Sequence, residues 1–298
     1  MGPALQRAMA LLGRQRWLDP FAERAQRSIV GAFKARGEAG QRVKNALHGV
    51  WLGHPLHQAI TDVPVGAWTT AAVLDLLDTA GGDRFARGAD AAIVVGLAGA
   101  TGAAVSGLTD WSATDGAARR QGIVHGALNG LVSLLYIASL LRRLAGDRAG
   151  GRRTAFTAYG IASVSAYIGG HLVAGERVGV DHAPALPEVS DYRPVLAASE
   201  LAEGQPRRVE LDGMPLMLVR RGPRVYTLAD QCAHLGGPLS EGRVDDESIT
   251  CPWHGSRYSL EDGRVLDGPS AFAQPHFDTR LRNGQVEVRS TPSTPSTP

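Results

Sequence analysis

Three long stretches without a charged side chain occupy the middle of this 298-residue sequence. They run from Ala91 to Thr109, from Gln121 to Leu141 and from Thr154 to Gly175, and they are rich in Gly and Ala. Each stretch matches the roughly 20 residues that a helix needs to cross the hydrocarbon core of a bilayer, and small residues allow helices to pack closely in lipid. Three such stretches in succession, separated by arginine-containing loops, favour membrane helices over buried helices of a soluble protein.

A fourth, weaker stretch runs from Ala59 to Leu77, with Asp62 and Asp75 near its ends. We therefore predict a transmembrane four-helix bundle over residues 46–183. The segment before it, residues 1–45, is basic and has apolar residues at helical spacing. A helix lying on an anionic membrane surface and an ordinary solvated helix both remain open for this segment.

The pattern changes after the last apolar stretch, where prolines mark a linker over residues 184–194. Short alternating segments separated by Asp-Gly, Gly-Pro and Asn-Gly turns predict a small antiparallel β domain over residues 195–290. These segments read RRVEL, PLMLVRR, RVYTLA, SITCPW and QVEVRS. The repetitive tail at 291–298 is predicted to be disordered. The predicted fold class is multidomain, with an all-α transmembrane four-helix bundle followed by a small all-β domain.

Each of the two cysteines in the chain has a histidine close by. One group reads Cys232-Ala-His234 and the other reads Cys251-Pro-Trp-His254, and a glycine-containing turn follows each group. Two facing loops could thus present two thiolates, which suit ferric iron, and two imidazoles on a second iron. A Cys2His2 zinc site uses the same residue types. A disulfide between the cysteines is a further alternative, although it would leave both histidines without a purpose.

The loops CAHLGGPL and CPWHGSRY resemble the cluster-binding loops of the Rieske family in ligand order, spacing and glycine turns. The resemblance covers residues 190–290. It implies a [2Fe–2S] cluster with Cys232 and Cys251 on one iron and His234 and His254 on the other.

Two further residues of the second loop, Ser256 and Tyr258, match the respiratory members of that family. The resemblance implies hydrogen bonds from them to a cluster sulfide and a cysteine sulfur, which raise the potential. Gly237 and Trp253 replace the two extra cysteines of the respiratory proteins, as in the ferredoxins. We therefore predict a potential above the lower end of the Rieske range of roughly −150 to +300 mV. The segment Pro269–Pro275 resembles the proline-containing loop that covers the cluster.

Six of the nine histidines lie in the first 182 residues. With four crossings, the polar groups of this half gather toward the membrane face on which the β domain follows. The set comprises His54, His57, Asp62, Asp110, His125, His171, Asp181 and His182. Ionisable groups at membrane depth are costly and usually functional. Three roles are open: His125 and His171 as axial ligands of haem b, a metal or quinone site that includes His54 and His57, and structural hydrogen bonding.

The segments HPLH, DVPVGAW, LDLLD and GGHLVAGERVGVDH resemble a family of bacterial four-helix membrane domains, over residues 45–183. This resemblance implies an integral membrane bundle and no particular chemistry.

The combined prediction is a membrane-anchored one-electron carrier in contact with the lipid bilayer, with a redox protein or a quinone as partner. A quinol- or haem-linked oxidoreductase and a redox sensor are the alternatives. A Rieske oxygenase in one chain is disfavoured because only a short segment follows the second ligand pair. The net charge of +2 gives no signal for nucleic acid. We place the protein in the cell membrane with several crossings and the cluster in the cytoplasm, where such clusters are inserted, since the N-terminus shows no export signal.

Overall fold

The structure, a computed structural model, describes residues 3–185 and 189–290. The chain forms two compact units: Met1–Gly40 with Leu56–Gly179, and Gln41–Pro55 with Val180–Pro298. The prediction for the tail at 291–298 falls outside the described residues. The units differ from the predicted domains at Gln41–Pro55, which packs with the β-rich part although it precedes the long helices in the chain.

The first unit is helical. Its helices are α1 (Pro3–Gly13), α2 (Asp19–Lys34), α4 (Leu56–Gly81), α5 (Ala86–Trp111), α6 (Gly116–Leu144) and α7 (Arg148–Ala174), while α3 (Gly37–His48) begins here and continues into the second unit. Helices α4 and α5 pack along each other, as do α6 and α7. The four predicted long helices are therefore present, and they form two helical hairpins.

Three of the helices are long and apolar enough to cross a membrane: Leu56–Thr79, Ala86–Trp111 and Gly116–Leu144. Helix α7 is not among them, although it contains the uncharged stretch from Thr154 to Gly175. The uncharged stretch predicted a more apolar helix than α7 is, because threonine, serine, tyrosine and histidine side chains lower the mean hydropathy of α7.

Helices α4 and α6 carry matching residues at the same spacing along the chain. The pairs are His57 and His125, Trp68 and Tyr136, and Asp75 and Arg143. Two of the pairs meet directly: the rings of Trp68 and Tyr136 stack with centroids 4.5 Å apart, and Asp75 forms a buried ion pair with Arg143. The two hairpins thus carry equivalent residues at equal spacing, and two of these equivalent pairs contact each other.

The N-terminal helices are bonded to one end of this bundle. Asp19 at the start of α2 pairs with Arg119 and Arg120 of α6. The side-chain amide of Gln26 donates to the carbonyl oxygens of Trp111 at 2.8 Å and Thr114 at 2.9 Å. These contacts fix the basic segment to the α5–α6 junction, and both predicted settings of its helices remain predictions.

The second unit contains two antiparallel sheets. The larger has the strand order β1-β10-β9-β4-β3-β2 and the smaller has the order β5-β6-β7-β8. The strands are β1 (Arg193–Ala197), β2 (Arg207–Leu211), β3 (Met214–Arg221), β4 (Arg224–Ala229), β5 (Arg243–Asp245), β6 (Ser248–Thr250), β7 (Arg257–Ser259), β8 (Val265–Asp267), β9 (His276–Arg282) and β10 (Gln285–Ser290). All five segments predicted from alternation contain a strand. Three of the strands not predicted, β5, β7 and β8, have three residues each, too short for an alternating pattern to appear.

A buried apolar cluster lies beneath the cysteine-containing loops. Its members are Met217, Val219, Leu228, Cys232, Leu239, Ile249, Cys251, Tyr258 and Leu260. Both cysteines are therefore built into a packed core, which holds the loops that carry them in one place.

Candidate metal centre

The first cysteine loop follows strand β4 and closes as a tight turn. The backbone N–H of Cys232 donates to the carbonyl of Gly237 at 2.8 Å, and the N–H of Gly236 donates back to Cys232 at 2.8 Å. Gly236 has φ +80°, a left-handed conformation that favours glycine. The turn presents Cys232 and His234 on one side of the loop.

The second loop joins β6 to β7 and repeats this arrangement. The N–H of Cys251 donates to the carbonyl of Ser256 at 2.8 Å, and the N–H of Gly255 donates to Cys251 at 3.2 Å. Gly255 also has φ +80°. The two loops therefore offer one thiol and one imidazole each from equivalent turns.

The two turns bring the four predicted ligands together. Both thiols are free and buried, so the structure does not form the alternative disulfide. The rings of His234 and His254 lie edge to face with centroids 5.0 Å apart. A Cβ atom on Gly237 would lie 3.0 Å from the sulfur of Cys251, so the loops approach as closely as a glycine allows.

The imidazole of His234 has the state that a metal ligand needs. Its Nδ1 atom is buried and has no hydrogen-bond partner among the residues that the structure describes, an arrangement that is costly unless something binds there. Burial, followed by the neighbouring His254, His48, His182 and Lys44, lowers the pKa of His234 well below its usual value. The ring is therefore neutral at physiological pH, with a lone pair available to a metal.

The two thiols are hydrogen-bonded to each other, and this bond shifts their pKa values in opposite directions. The bond, followed by burial, raises the pKa of Cys232, while the same bond lowers the pKa of Cys251 to about 7 against the effect of burial. Backbone N–H groups also bond the sulfurs, from His234 to Cys232 and from Trp253 and His254 to Cys251. Such donors stabilise negative charge on sulfur, which favours thiolate ligation.

The donor set of two thiols and two imidazoles matches the ligands that a binuclear cluster of this type needs. Across residues 3–185 and 189–290, no group of three or more histidine, cysteine or acidic side chains could hold one metal ion. A mononuclear zinc site needs three or four protein ligands on one ion. In a [2Fe–2S] cluster of this type each iron takes only two, either both cysteines or both histidines. The residues present therefore fit a [2Fe–2S] cluster.

Ser256 and Tyr258 are both fully buried beside the cysteines. The Tyr258 oxygen lies 3.2 Å from the sulfur of Cys232. Burial and then the Cys232 charge raise the pKa of Tyr258 well above its usual value, so the phenol keeps its proton and donates to the sulfur. The oxygen of Ser256 accepts the backbone N–H of Ser270 at 3.0 Å, which leaves its own proton to be donated elsewhere.

Gln274 is a further positioning residue that the sequence did not single out. Its side-chain oxygen accepts from the N–H of Ala233 at 3.0 Å. Its side-chain nitrogen donates to the carbonyls of Ala229 at 2.7 Å and Gln231 at 2.8 Å. Gln274 thus fastens the first loop from both sides of Cys232. In the sequence, only its position within the predicted Pro269–Pro275 loop indicated that Gln274 lies near the cluster site.

Two of the predicted histidines on the long helices make the same kind of hydrogen bond to a neighbouring helix. Nδ1 of His57 lies 2.8 Å from the carbonyl oxygen of Ala103 on α5, and Nδ1 of His125 lies 2.9 Å from that of Ser165 on α7. Since a carbonyl only accepts, both rings donate through Nδ1. The histidine positions of the two hairpins therefore make equivalent bonds.

The predicted second site of His54, His57, His125 and His171 remains a prediction, and each unit gives its histidines their own contacts. His54 belongs to the β-rich unit, where its ring lies edge-on to Phe272. Nε2 of His125 is 3.0 Å from the amide nitrogen of Asn129, so both of its ring nitrogens are hydrogen-bonded. Nε2 of His171 lies 3.8 Å from the carboxylate of Glu176. This arrangement does not fit axial ligation of a haem by His125 and His171, and it favours the structural role.

Taken together, the loops, the two buried thiols with their two neighbouring imidazoles and the two small sheets define an iron–sulfur electron-transfer domain carried by a chain with a helical unit. The Rieske [2Fe-2S] domain family matches residues 191–287, and the predicted membrane protein family DUF2231 matches residues 53–182. The chain belongs to the Rieske [2Fe–2S] family and combines that domain with one of the DUF2231 family.

Similar proteins include ferredoxins. The ferredoxin CarAc of Metapseudomonas resinovorans is 35% identical over 95 residues, covering 32% of this chain and 89% of the ferredoxin. Apoptosis-inducing factor 3 of Homo sapiens is 29% identical over 120 residues, covering 40% of this chain and 20% of that protein. A chain in the complex of reduced oxygenase and oxidised ferredoxin in carbazole 1,9a-dioxygenase is 30% identical, covers 36% of this chain and 100% of its own, and has a TM-score of 0.33. The chain spans about a fifth of the length of the first curated relatives it matches.

Proposed function

We propose that this protein is a membrane-anchored one-electron carrier in which Cys232 and Cys251 bind one iron of a [2Fe–2S] cluster and His234 and His254 bind the other. The observation that carries the proposal is the buried Nδ1 of His234, which has no hydrogen-bond partner in the described part of the chain, on a loop that also carries one of two buried free thiols. When bound, such a cluster accepts and releases a single electron. The protein side chains contribute by holding the cluster, excluding water from its inner face and donating hydrogen bonds to its sulfurs.

The partner in this proposal is another redox protein. Trp253, which is 56% exposed, lies next to the ligand His254, with ring centroids 6.4 Å apart. Exposed tryptophan is typical of the anchoring residues in protein interfaces. The similarity to ferredoxins supports a protein partner over a small-molecule substrate.

Several crossings of the cell membrane, with the cluster domain in the cytoplasm, complete the proposal. The basic helices α1 and α2 are bonded to the α5–α6 junction, and clusters of basic residues favour the cytoplasmic side. Gln121 near the start of α6 donates to Glu176, just after α7, at 3.0 Å. Helix α7 therefore ends at the end of the bundle that carries the basic helices. A cysteine placed at the exposed Leu281 should react with an impermeant maleimide only in inverted vesicles; reaction in intact cells would contradict the orientation.

The first test is low-temperature EPR with a visible spectrum on detergent-purified, dithionite-reduced protein. We expect a Rieske-type signal that disappears on oxidation, with two iron atoms per chain. Zinc in place of iron, with no such signal, would refute the proposed function. A Soret band in the same visible spectrum would show a bound haem. It would contradict the structural role given to His125, whose two ring nitrogens are already hydrogen-bonded.

Replacing Ser256 with alanine or Tyr258 with phenylalanine should lower the midpoint potential without loss of the cluster. A hydrogen bond to a charged acceptor contributes ~1.5–3 kcal/mol and a tenfold change for one electron is 59 mV, so each fall should be about 60 mV or more. Redox titration followed by EPR measures it. The control is Ser248→Ala on the neighbouring strand β6, a buried serine whose hydroxyl bonds to Asp245; an equal fall there would show a general effect of the substitution.

A further inference from the structure

A segment from outside the matched Rieske region contributes to the cluster unit. Residues Gln41–Pro55, which comprise the second half of α3 and the turn after it, belong to the same compact unit as the β sheets. The Rieske family match begins only at residue 191. The cluster domain is therefore completed by chain that lies between helices α2 and α4.

Asn45 is the main polar contact made by this segment. Its side-chain nitrogen donates to the carboxylate of Asp267 at 2.9 Å and to the carbonyl of Leu266 at 3.2 Å. Its side-chain oxygen accepts the backbone N–H of Gly268 at 3.1 Å. A partly buried Gln41 in turn donates to that oxygen at 2.9 Å. The side-chain amide of Asn45 thus forms hydrogen bonds to three consecutive residues at the start of the loop that covers the cluster.

His48, one turn further along α3, packs on the same loop. Its side chain is 1% exposed. A Cβ atom on Gly268 would lie 2.8 Å from Cδ2 of His48, so the ring rests directly on the backbone that Asn45 holds. The two residues therefore constrain Gly268 by hydrogen bonding and by close packing.

The constrained loop leads to the residues that tune the cluster. Two positions after Gly268, the backbone N–H of Ser270 donates to the side-chain oxygen of Ser256 at 3.0 Å. The side chains of Ser270 and Ser256 also interact with the hydroxyl of Tyr258. The position of Gly268 thus sets the position of Ser270, and Ser270 directs the hydroxyl group of Ser256.

We propose that Asn45 and His48 are positioning residues for the cluster, which hold Gly268–Ser270 so that Ser256 keeps its bonding direction toward the cluster sulfur. This inference rests on the proposed function. It adds that the reduction potential of the cluster depends on a segment that joins two helices of the other unit. Asn45 in that segment lies 146 positions before the Rieske region begins at residue 191.

The test is a double-mutant cycle on the full-length holoprotein. We expect Asn45→Ala to lower the midpoint potential and shift the EPR g values, by less than Ser256→Ala does. In the Ser256→Ala background, Asn45→Ala should produce no further fall, because its effect passes through Ser256. His48→Ala should behave like Asn45→Ala, while His48→Phe, which refills the space, should recover most of the potential. The exposed Val43 on the same helix supplies the control, and Val43→Ala should leave the potential unchanged.

Gln41→Ala, which removes only the support of Asn45, provides a milder variant should Asn45→Ala fail to fold. An equal fall with and without Ser256, or an unchanged potential in both Asn45→Ala and Gln41→Ala, would overturn the inference while leaving the proposed function intact. Hydrogen exchange at Gly268–Phe272 should accelerate in Asn45→Ala, and this readout does not depend on the cluster. A wild-type protein without a Rieske signal would instead refute the proposed function.

Discussion

Replacing Cys232 with alanine is expected to abolish the [2Fe–2S] cluster and the visible and EPR signals that depend on it. The substitution removes one of two thiolates on an iron and the sulfur to which Tyr258 donates. Because Cys232 also belongs to the buried core beneath the loops, loss of the cluster should destabilise the whole domain, since metal binding contributes to folding free energy. Iron content, EPR and thermal unfolding of the purified variant measure these effects.

The matched control for this variant is His276→Ala. His276 is a histidine of the same β unit, at the start of β9, and it is not one of the four proposed ligands. Its alanine variant should keep two iron atoms and an unchanged EPR signal. A Cys232→Ala protein that retained the Rieske signal would show that the cluster is held by other residues.

Replacing Arg143 with glutamine is expected to lower the free energy of unfolding of the helical unit by about 3–5 kcal/mol, because it leaves a buried carboxylate without its partner. The side chains of Arg143 and Asp75 are each 1% exposed. Nη1 of Arg143 lies 2.9 Å from Asp75 and 3.0 Å from Asp90, and its Nε donates to Ser139 at 3.1 Å. The loss of stability is measured as a lower temperature of thermal aggregation in detergent, which is monitored as the loss of soluble protein.

The equal spacing of the matching residues on α4 and α6 supplies a sharper form of this experiment. Because the exchanged double variant Asp75→Arg with Arg143→Asp keeps both members of the ion pair, it should regain part of the stability lost in either single variant, while the contact of Arg143 with Asp90 stays lost. The control is Arg152→Gln, which breaks a more exposed ion pair with Asp83 at the same end of the bundle and should cost about 1 kcal/mol or less. A double variant no more stable than the single ones would contradict the equivalence of the two positions.

Local spacing predicts which residues are candidate cluster ligands. Cys232 with His234 and Cys251 with His254 each lie within one tight turn, so short-range sequence already determines that a thiol and an imidazole come from the same loop. The resemblance to the Rieske family then related the two turns to each other. The β strands with clear alternation were also predictable, because a strand with one buried face alternates apolar and polar residues.

For the histidines of the long helices, sequence spacing predicted their position along the bundle but not their hydrogen-bond partners. Counting crossings indicated correctly that His125 and His171 lie toward one end of the bundle, since α6 begins there and α7 ends there. It could not indicate that the ring nitrogens of His125 were already bonded to Ser165 and Asn129, because those bonds depend on helix rotation and packing. Likewise, the crossing count grouped His54 with the bundle, whereas its ring packs on Phe272.

The sequence by itself determined the proposed donor set of the cluster and the presence of long apolar helices, because both depend on neighbours within a few residues or on composition along one segment. Only the tertiary structure decided that Asn45 and His48 hold the loop over the cluster, and that Asp75 meets Arg143. Those contacts join residues far apart in the chain, and no local preference of asparagine, histidine or aspartate specifies a distant partner. They form only when packing of the apolar faces has brought the segments together and removed water from between them.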